Sequence, residues 1–408
     1  MAGFIKLLFT AFAQSITSFL YILITAIVYM HIKNEARLEE TWLGFLRETV
    51  KNRLMNAMLY GMIAGLAAST LIVATGIPID LNTAIILWPF ALMLTLINKR
   101  FICFSYAGGI ISLISLVSGW PKIDVPAVIA FIGILHLTES ILILLDGHRD
   151  ALPVVMEHKR FKPIGAFVMN RLWPVPLIIL TIPTQVLPAS GGGVAMPDWW
   201  PVFSMQNEGG FMLFPLALAI EYGGLAVTAV PRERTRLIGL SLGIYSLFIF
   251  ALAYLSIRFS WLQYAAAVLM PSLHELIMYF SKKSQMEGKP ILGAPWRGLR
   301  ILDVLPDTIG SMMGLKPGDV LLNINGKAVN SEEMLVEALN NAPLYLWMDI
   351  SRRGNAMTVE YRNYNRNKDK LGVIFVPRKA SHFYIPDERH GLAFLMMKRL
   401  TQRKHLKM

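Results

Sequence analysis

The residues best suited to chemistry are His274 and Glu275, which stand in the segment PSLHELIMYF, residues 271–280. They begin a pattern like HExxH, in which two histidines on one helix face bind zinc and the glutamate acts as a base. The fifth position, however, is Met278, whose thioether is a poor zinc ligand. The local pattern therefore predicts no catalytic residue and no metal site.

Ionisable side chains in the apolar segments form a second group of candidates. His136 and Glu139 are three residues apart and therefore share one helix face. Because ionisable groups inside a membrane are costly, they are expected to face the interior of a helical bundle. We expect one buried polar cluster, acting through interhelical hydrogen bonds or as a proton or ion site. Its predicted members are His136, Glu139, Glu221, His274 and Glu275.

Composition places these residues in a membrane protein. Of the 408 residues, 54% are hydrophobic and 16% are charged, and the apolar residues occur in blocks of about twenty, the length of a membrane-spanning helix. A single cysteine, Cys103, excludes a disulfide framework and a cysteine-rich metal site. The blocks lie at 8–30, 54–76, 83–98, 102–118, 126–145, 172–189, 211–230, 237–256 and 261–280.

The predicted fold class is thus an α-helical polytopic membrane bundle over residues 1–283. It has nine spans, or eight if the first block lies along the membrane instead of crossing it. The block at 172–189 contains four prolines, and we expect it to be a kinked helix.

Basic residues orient this bundle. The connectors 31–53, 99–100, 146–171 and 231–236 together hold fifteen Lys and Arg, whereas the alternate connectors hold only Lys122 and Arg258. Because Lys and Arg concentrate in cytoplasmic loops, the end of the last span and everything after it are predicted to be cytoplasmic.

The segment from Gly298 to Leu339 alternates short strands, turns and helices and contains GLKPGDVLLNING. Asn325-Gly326 predicts a tight hairpin turn, and Ser331 predicts a helix N-cap. With this segment, residues 290–378 resemble a bacterial PDZ domain. The resemblance implies a cytoplasmic, partly open β-sandwich with short helices, which binds peptide or protein segments by strand addition.

PDZ domains hold a terminal carboxylate in a glycine-containing loop before the binding strand, and two stretches match that loop in part. The best match is Ile291-Leu292-Gly293-Ala294, and the second candidate is Leu371-Gly372-Val373, followed by Ile374. Both remain candidates for the peptide-binding loop.

A membrane bundle with a PDZ domain is also the layout of site-2-type intramembrane proteases. Leu145-Asp146-Gly147 resembles their zinc-binding aspartate motif. The second histidine is missing, however, and the order of the two motifs and the PDZ domain departs from that family. A degenerate protease is therefore a remote alternative, and we expect no enzymatic activity and no cofactor.

The C-terminal region, residues 379–408, ends in the basic amphipathic stretch GLAFLMMKRLTQRKHLKM. Each Lys or Arg near an anionic leaflet contributes about 1 kcal/mol of attraction. We expect this tail to bind anionic membrane lipid, and we expect no nucleic-acid partner.

Several spans followed by one PDZ domain resemble the MinJ family of bacterial division-site adaptors. The segments HLTESILILLDGHRDALPVV (136–155), RLWPVPL (171–177) and GGFMLFPLALAIEYGG (209–224) are similar to that family. The resemblance implies a non-enzymatic scaffold in the bacterial plasma membrane, enriched at septum and poles, with DivIVA-like and MinD-like partners. The alternative is an ion-coupled transporter or membrane regulator that uses the buried His and Glu residues, with the PDZ domain as a regulatory arm.

Overall fold

The structure is a computed structural model that describes residues 2–158, 163–182, 198–203, 210–342, 344–362 and 371–378. The tail at 379–408, with its predicted lipid contact, lies outside the described residues. The helices are α1 (Ala2–Thr17), α2 (Phe19–Leu43), α3 (Val50–Thr75), α4 (Leu81–Ile97), α5 (Phe104–Ser118), α6 (Val125–Asp146), α7 (Pro231–Arg258), α8 (Trp261–Glu287), α9 (Ile309–Met312) and α10 (Glu332–Asn340), with a 3-10 turn at Lys99–Ile102. The strands are β1 (Leu152–Met156), β2 (Ile164–Thr181), β3 (Met212–Ala226), β4 (Leu292–Gly293), β5 (Leu299–Val304), β6 (Val320–Ile324), β7 (Lys327–Ala328), β8 (Leu346–Arg352), β9 (Asn355–Tyr361) and β10 (Val373–Phe375).

Apolar helices dominate the N-terminal part. In the described portion of the chain, α3, α6 and α7 are long and apolar enough to cross a membrane. Helices α1 and α2 meet the same criterion only as a pair, bent by 53° at a short break. Helices α4 and α5 are apolar but only 17 and 15 residues long. The structure thus supports membrane insertion through three or four candidate spans, fewer than the eight or nine predicted.

Two of the predicted spans are wrong, because residues 172–189 and 211–230 were expected to be helices. Residues up to Thr181 belong instead to β2, which pairs antiparallel with β3 from Thr181↔Met212 to Phe167↔Ala226. Proline lacks an N–H and breaks a helix interior, but it fits a strand where its nitrogen faces away from the partner strand. Pro174 and Pro176, two residues apart, both satisfy that condition.

The edge of β2 that faces away from β3 is covered by α3. A Cβ added to Gly61 would lie 2.1 Å from the Pro174 oxygen, and one added to Gly65 would lie 2.0 Å from the Pro176 oxygen. One turn further along α3, the Ser69 Oγ accepts a hydrogen bond of 2.9 Å from the Ile178 nitrogen. Four helical residues rise about 6.0 Å and two strand residues about 6.6 Å, so the two elements stay in step.

The C-terminal part contains a second sheet with strand order β10-β5-β6-β8-β9, to which β7 pairs through β6. Asn325 and Gly326 have φ values of 46° and 78°, as an Asn-Gly hairpin turn requires. The sheet covers a separate hydrophobic core, against which α9 and α10 pack through Ile309 and Leu335. This domain is strand-rich with short helices, and its likeness to a PDZ domain stays a prediction.

The helical part and the C-terminal domain are joined by several direct contacts. Strand β4 pairs with β2 in the first sheet, and the Gln285 side chain at the end of α8 accepts a 2.9 Å hydrogen bond from the Val227 nitrogen. Arg47, beyond α2, lies 3.2 Å from the Asp303 carboxylate in β5. Burial raises the pKa of Asp303, and the adjacent guanidinium of Arg47 partly offsets that rise.

Candidate functional site

The two predicted peptide-binding loops have different positions. Leu292 and Gly293 form β4, opposite Gly165 and Ile164 of β2. The nitrogen of Ile291 donates to the oxygen of Val227, at 3.0 Å. The stretch Ile291–Ala294 is therefore part of the connection between the helices and the C-terminal domain.

The stretch Leu371-Gly372-Val373 leads into β10, at the end of the second sheet. The Leu371 oxygen accepts from the Gly310 nitrogen at 2.9 Å, and the Gly372 oxygen accepts from the Leu305 nitrogen at 2.8 Å. Gly372 has a φ of 64°, a left-handed conformation that glycine adopts readily. Among the described strands β10 pairs only with β5, so its other edge has no strand partner in that part of the chain.

Helix α10 packs on the same hydrophobic core as β10. Leu339 of α10, together with Leu371 and Val373, is partly buried against the same core of the C-terminal domain. Val336, three residues before Leu339 and therefore on the same helix side, is 55% exposed. It lies in a shallow cavity lined otherwise by acidic and amide side chains, namely Glu332, Glu333, Glu337, Asn340 and Asn341.

A buried polar cluster lies within the helical part. The Cys103 Sγ is 3.4 Å from the His136 Nε2 and 3.8 Å from the His274 Nε2, and the two imidazole ring centroids are 5.1 Å apart. Cys103 comes from the turn between α4 and α5, His136 from α6 and His274 from α8. Sequence reasoning had set Cys103 aside, because its partners are distant in the chain.

The predicted acidic members of this cluster have separate partners. Glu139 lies 2.9 Å from the His136 Nδ1. Glu275 accepts a hydrogen bond from the Tyr106 hydroxyl and lies 2.9 Å from Arg100. Glu221 is an exposed residue of β3, opposite Leu172 of β2. The structure therefore brings four of the five predicted residues into two adjacent groups, and Glu221 belongs to neither group.

A network of buried ion pairs is a further feature that the sequence reading missed. Asp146, which is fully buried, accepts hydrogen bonds from the Arg171 guanidinium and, at 2.7 Å, from the Trp173 indole. Breaking a buried pair leaves an uncompensated charge, so each partner holds the other in place. Asp146 is thus occupied by a structural role, which agrees with rejecting Leu145-Asp146-Gly147 as a zinc motif. The network comprises Glu39, Arg47, Arg53, Asp146, Asp150 and Arg171.

Together these features define a class: an apolar helical part with membrane-span candidates, joined to a strand-rich C-terminal domain with an open sheet edge. No family model matches the chain. Over 253 residues it is 25% identical to the cell division topological determinant MinJ of Bacillus subtilis (strain 168). The match spans 62% of this chain and 62% of that relative's length. The chain is therefore MinJ-like over that part.

Proposed function

We propose that the protein is a non-enzymatic, membrane-anchored adaptor that places the bacterial division site. The observation that carries the proposal is the similarity to MinJ, whose name describes a topological determinant of cell division. In this role the helical part fixes the protein in the plasma membrane, and the C-terminal domain recruits cytoplasmic proteins. DivIVA-like and MinD-like division proteins are the partners that the MinJ resemblance implies.

The C-terminal domain binds its partner as a PDZ domain does, by strand addition at the open edge of β10. Main-chain hydrogen bonds to the added strand supply affinity, and side chains in the adjacent groove supply selectivity. Leu339, Leu371 and Val373 offer apolar contacts at this edge. Glu332, Glu333 and Glu337 make the helix side acidic, so the proposed ligand is an extended segment with apolar and basic side chains.

The proposed topology places the C-terminal domain in the cytoplasm. The charge distribution supports this assignment. It is unaffected by the two wrong spans, since a β2–β3 hairpin, like the two helices it replaces, begins and ends on the same side of the membrane. A reporter fused after Lys283 should therefore be cytoplasmic, whereas a label at Gly192 should be accessible from outside. The opposite result would exclude recruitment of cytoplasmic partners by the C-terminal domain.

The division role is tested in the bacterium that carries this chain. A fluorescent fusion of the full chain should concentrate at septa and poles, and deletion should delay or misplace division. Uniform membrane fluorescence with normal cell length in the deletion strain would contradict the division role. Proton or solute flux through the purified protein in liposomes, lost in Glu139→Gln, would instead support an ion-coupled function.

The binding mode is tested by the matched variants Val336→Lys and Met334→Lys. Both residues are exposed on α10, at 55% and 42%, so neither change should disturb the fold. Residues two apart in a helix lie on opposite sides, and only Val336 shares the side of Leu339. We expect Val336→Lys to weaken partner binding by about tenfold or more, because it removes an apolar contact and repels a basic ligand, and Met334→Lys to leave binding unchanged. Equal binding by both variants would exclude this groove.

A further inference from the structure

We propose that Cys103, His136 and His274 form a binding site for one thiophilic transition-metal ion, zinc or copper(I). Thiolate and imidazole are ligands that both ions accept, and Cys-His-His sets occur with each of them. Their three ligand atoms all lie within 4.8 Å of one another, and no other such group of His, Cys, Asp and Glu side chains occurs within the described part of the chain. A local HExxH search cannot find such a site, because three separate elements supply its ligands.

The distances from the cysteine sulfur to the two imidazole nitrogens match those of a metal site. Zinc binds sulfur at about 2.3 Å and imidazole nitrogen at about 2.0–2.1 Å, so tetrahedral geometry separates the two ligand atoms by about 3.6 Å. The observed distances from the Cys103 Sγ to the His136 and His274 Nε2 atoms, 3.4 and 3.8 Å, lie on either side of that value. Little movement is therefore needed to bind the ion.

The surroundings orient the ligands as a metal site requires. The His136 Nδ1 lies 2.9 Å from the Glu139 carboxylate. A proton held on Nδ1 by that carboxylate would leave Nε2, which faces Cys103, to bind the metal. The His274 ring contacts the rings of Tyr106 and Tyr245, with centroids 5.7 and 6.0 Å apart. Its Nδ1 is buried without a hydrogen-bond partner among the described residues, so it can carry the proton while Nε2 binds metal.

Charge supports the same assignment. A Cys103 thiolate and the Glu139 carboxylate together carry two negative charges, which one Zn²⁺ neutralises inside an apolar bundle. Isolated charges there are costly, whereas a neutral group of ion and ligands avoids that cost. Glu275 does not enter this balance, because Arg100 already lies 2.9 Å from its carboxylate.

A bound ion would link the turn before α5 to helices α6 and α8. Cys103 precedes α5, His136 lies near the middle of α6, and His274 lies near the middle of α8. Helix α8 ends at Glu287, only five residues before β4, and so leads directly into the C-terminal domain. The metal would therefore fix the helix from which the C-terminal domain extends.

The test uses the full chain, purified in detergent with a tag that contains no histidines and without added chelator. We expect elemental analysis to find about one zinc or copper per chain, since structural sites hold their metal tightly. The identity of the ion then distinguishes the two possibilities. Cobalt added to chelator-stripped protein should give a thiolate-to-cobalt charge-transfer band, which a site without Cys103 cannot produce.

Three variants complete the test. Cys103→Ser should abolish the cobalt band and the bound metal, and Glu139→Gln should weaken metal affinity by about 10–100-fold while Cys103 remains present. His148→Gln, in the turn after α6, should leave metal content unchanged. The proposal is overturned if stripped wild-type protein, dialysed against zinc and copper(I), retains no more metal than Cys103→Ser. It is equally overturned if Glu139→Gln binds as tightly as wild type.

Discussion

Strands β2 and β10 each have one edge that, over part of its length, pairs with no other described strand. The two edges differ in what lies against them. On β2, two prolines remove the N–H groups that would face α3. The next N–H on that edge belongs to Ile178, and it donates a hydrogen bond to the Ser69 hydroxyl. On β10, no such closure is present among the described residues, and apolar side chains lie beside the edge. A sheet edge sealed against a helix holds a fold together, whereas an open edge can bind another chain.

The edge of β2 that packs against α3 should be the least tolerant of substitution. Gly65→Leu should destabilise it the most. Even a Cβ at this position would lie 2.0 Å from the backbone oxygen of Pro176, which cannot move aside as a side chain can. We expect destabilisation by more than about 3 kcal/mol and little folded protein, measured by thermal unfolding in detergent. Ala67→Leu, at an exposed position of the same helix, is the control and should accumulate normally.

A smaller perturbation of the same edge removes only its hydrogen bond. Ser69→Ala removes only the hydroxyl oxygen and leaves the Ile178 N–H buried without its acceptor, at an expected cost of about 1–3 kcal/mol. Thr70→Val is the matched control, since the exposed Thr70 hydroxyl bonds only to the Leu66 oxygen of its own helix. Equal unfolding temperatures for the two variants would show that Ser69 does not seal the edge.

The sequence predicted the helices of this molecule better than its first sheet. The predicted blocks at 54–76, 126–145 and 237–256 correspond to α3, α6 and α7, because long apolar runs between charged connectors are typical of membrane helices. Strands β2 and β3 are equally apolar, although only β2 is largely buried, so hydropathy alone could not separate strand from helix. The spacing of Pro174 and Pro176 was the available clue, since two prolines at i and i+2 disrupt a helix and suit one edge of a strand.

The buried cluster was predictable only in part. His136 and Glu139 are close in the chain, so helix periodicity brought them together correctly. Cys103 lies 33 residues before His136 and 171 before His274, and only the packing of α5 and α6 with α8 unites the three. Glu221 was misplaced for a different reason: its segment is a strand, and its alternation directs this side chain outward.

The smallest effect on stability is expected for Gly293→Glu. Its effect on partner recruitment decides which of the two candidate loops binds a partner. Nothing lies within 4 Å of a Cβ placed there, so Gly293→Glu should change the unfolding free energy by no more than about 0.5 kcal/mol. If Leu371-Gly372-Val373 is the binding loop, Gly293→Glu keeps partner recruitment, whereas Val336→Lys loses it. The sequence alone favoured the opposite outcome for Gly293, because its loop was the better of the two matches. Partner pull-down from membranes with both variants would distinguish the loops. Loss of recruitment only in Gly293→Glu would place the binding site at the β4 connection. The edge of β10 would then have no binding role.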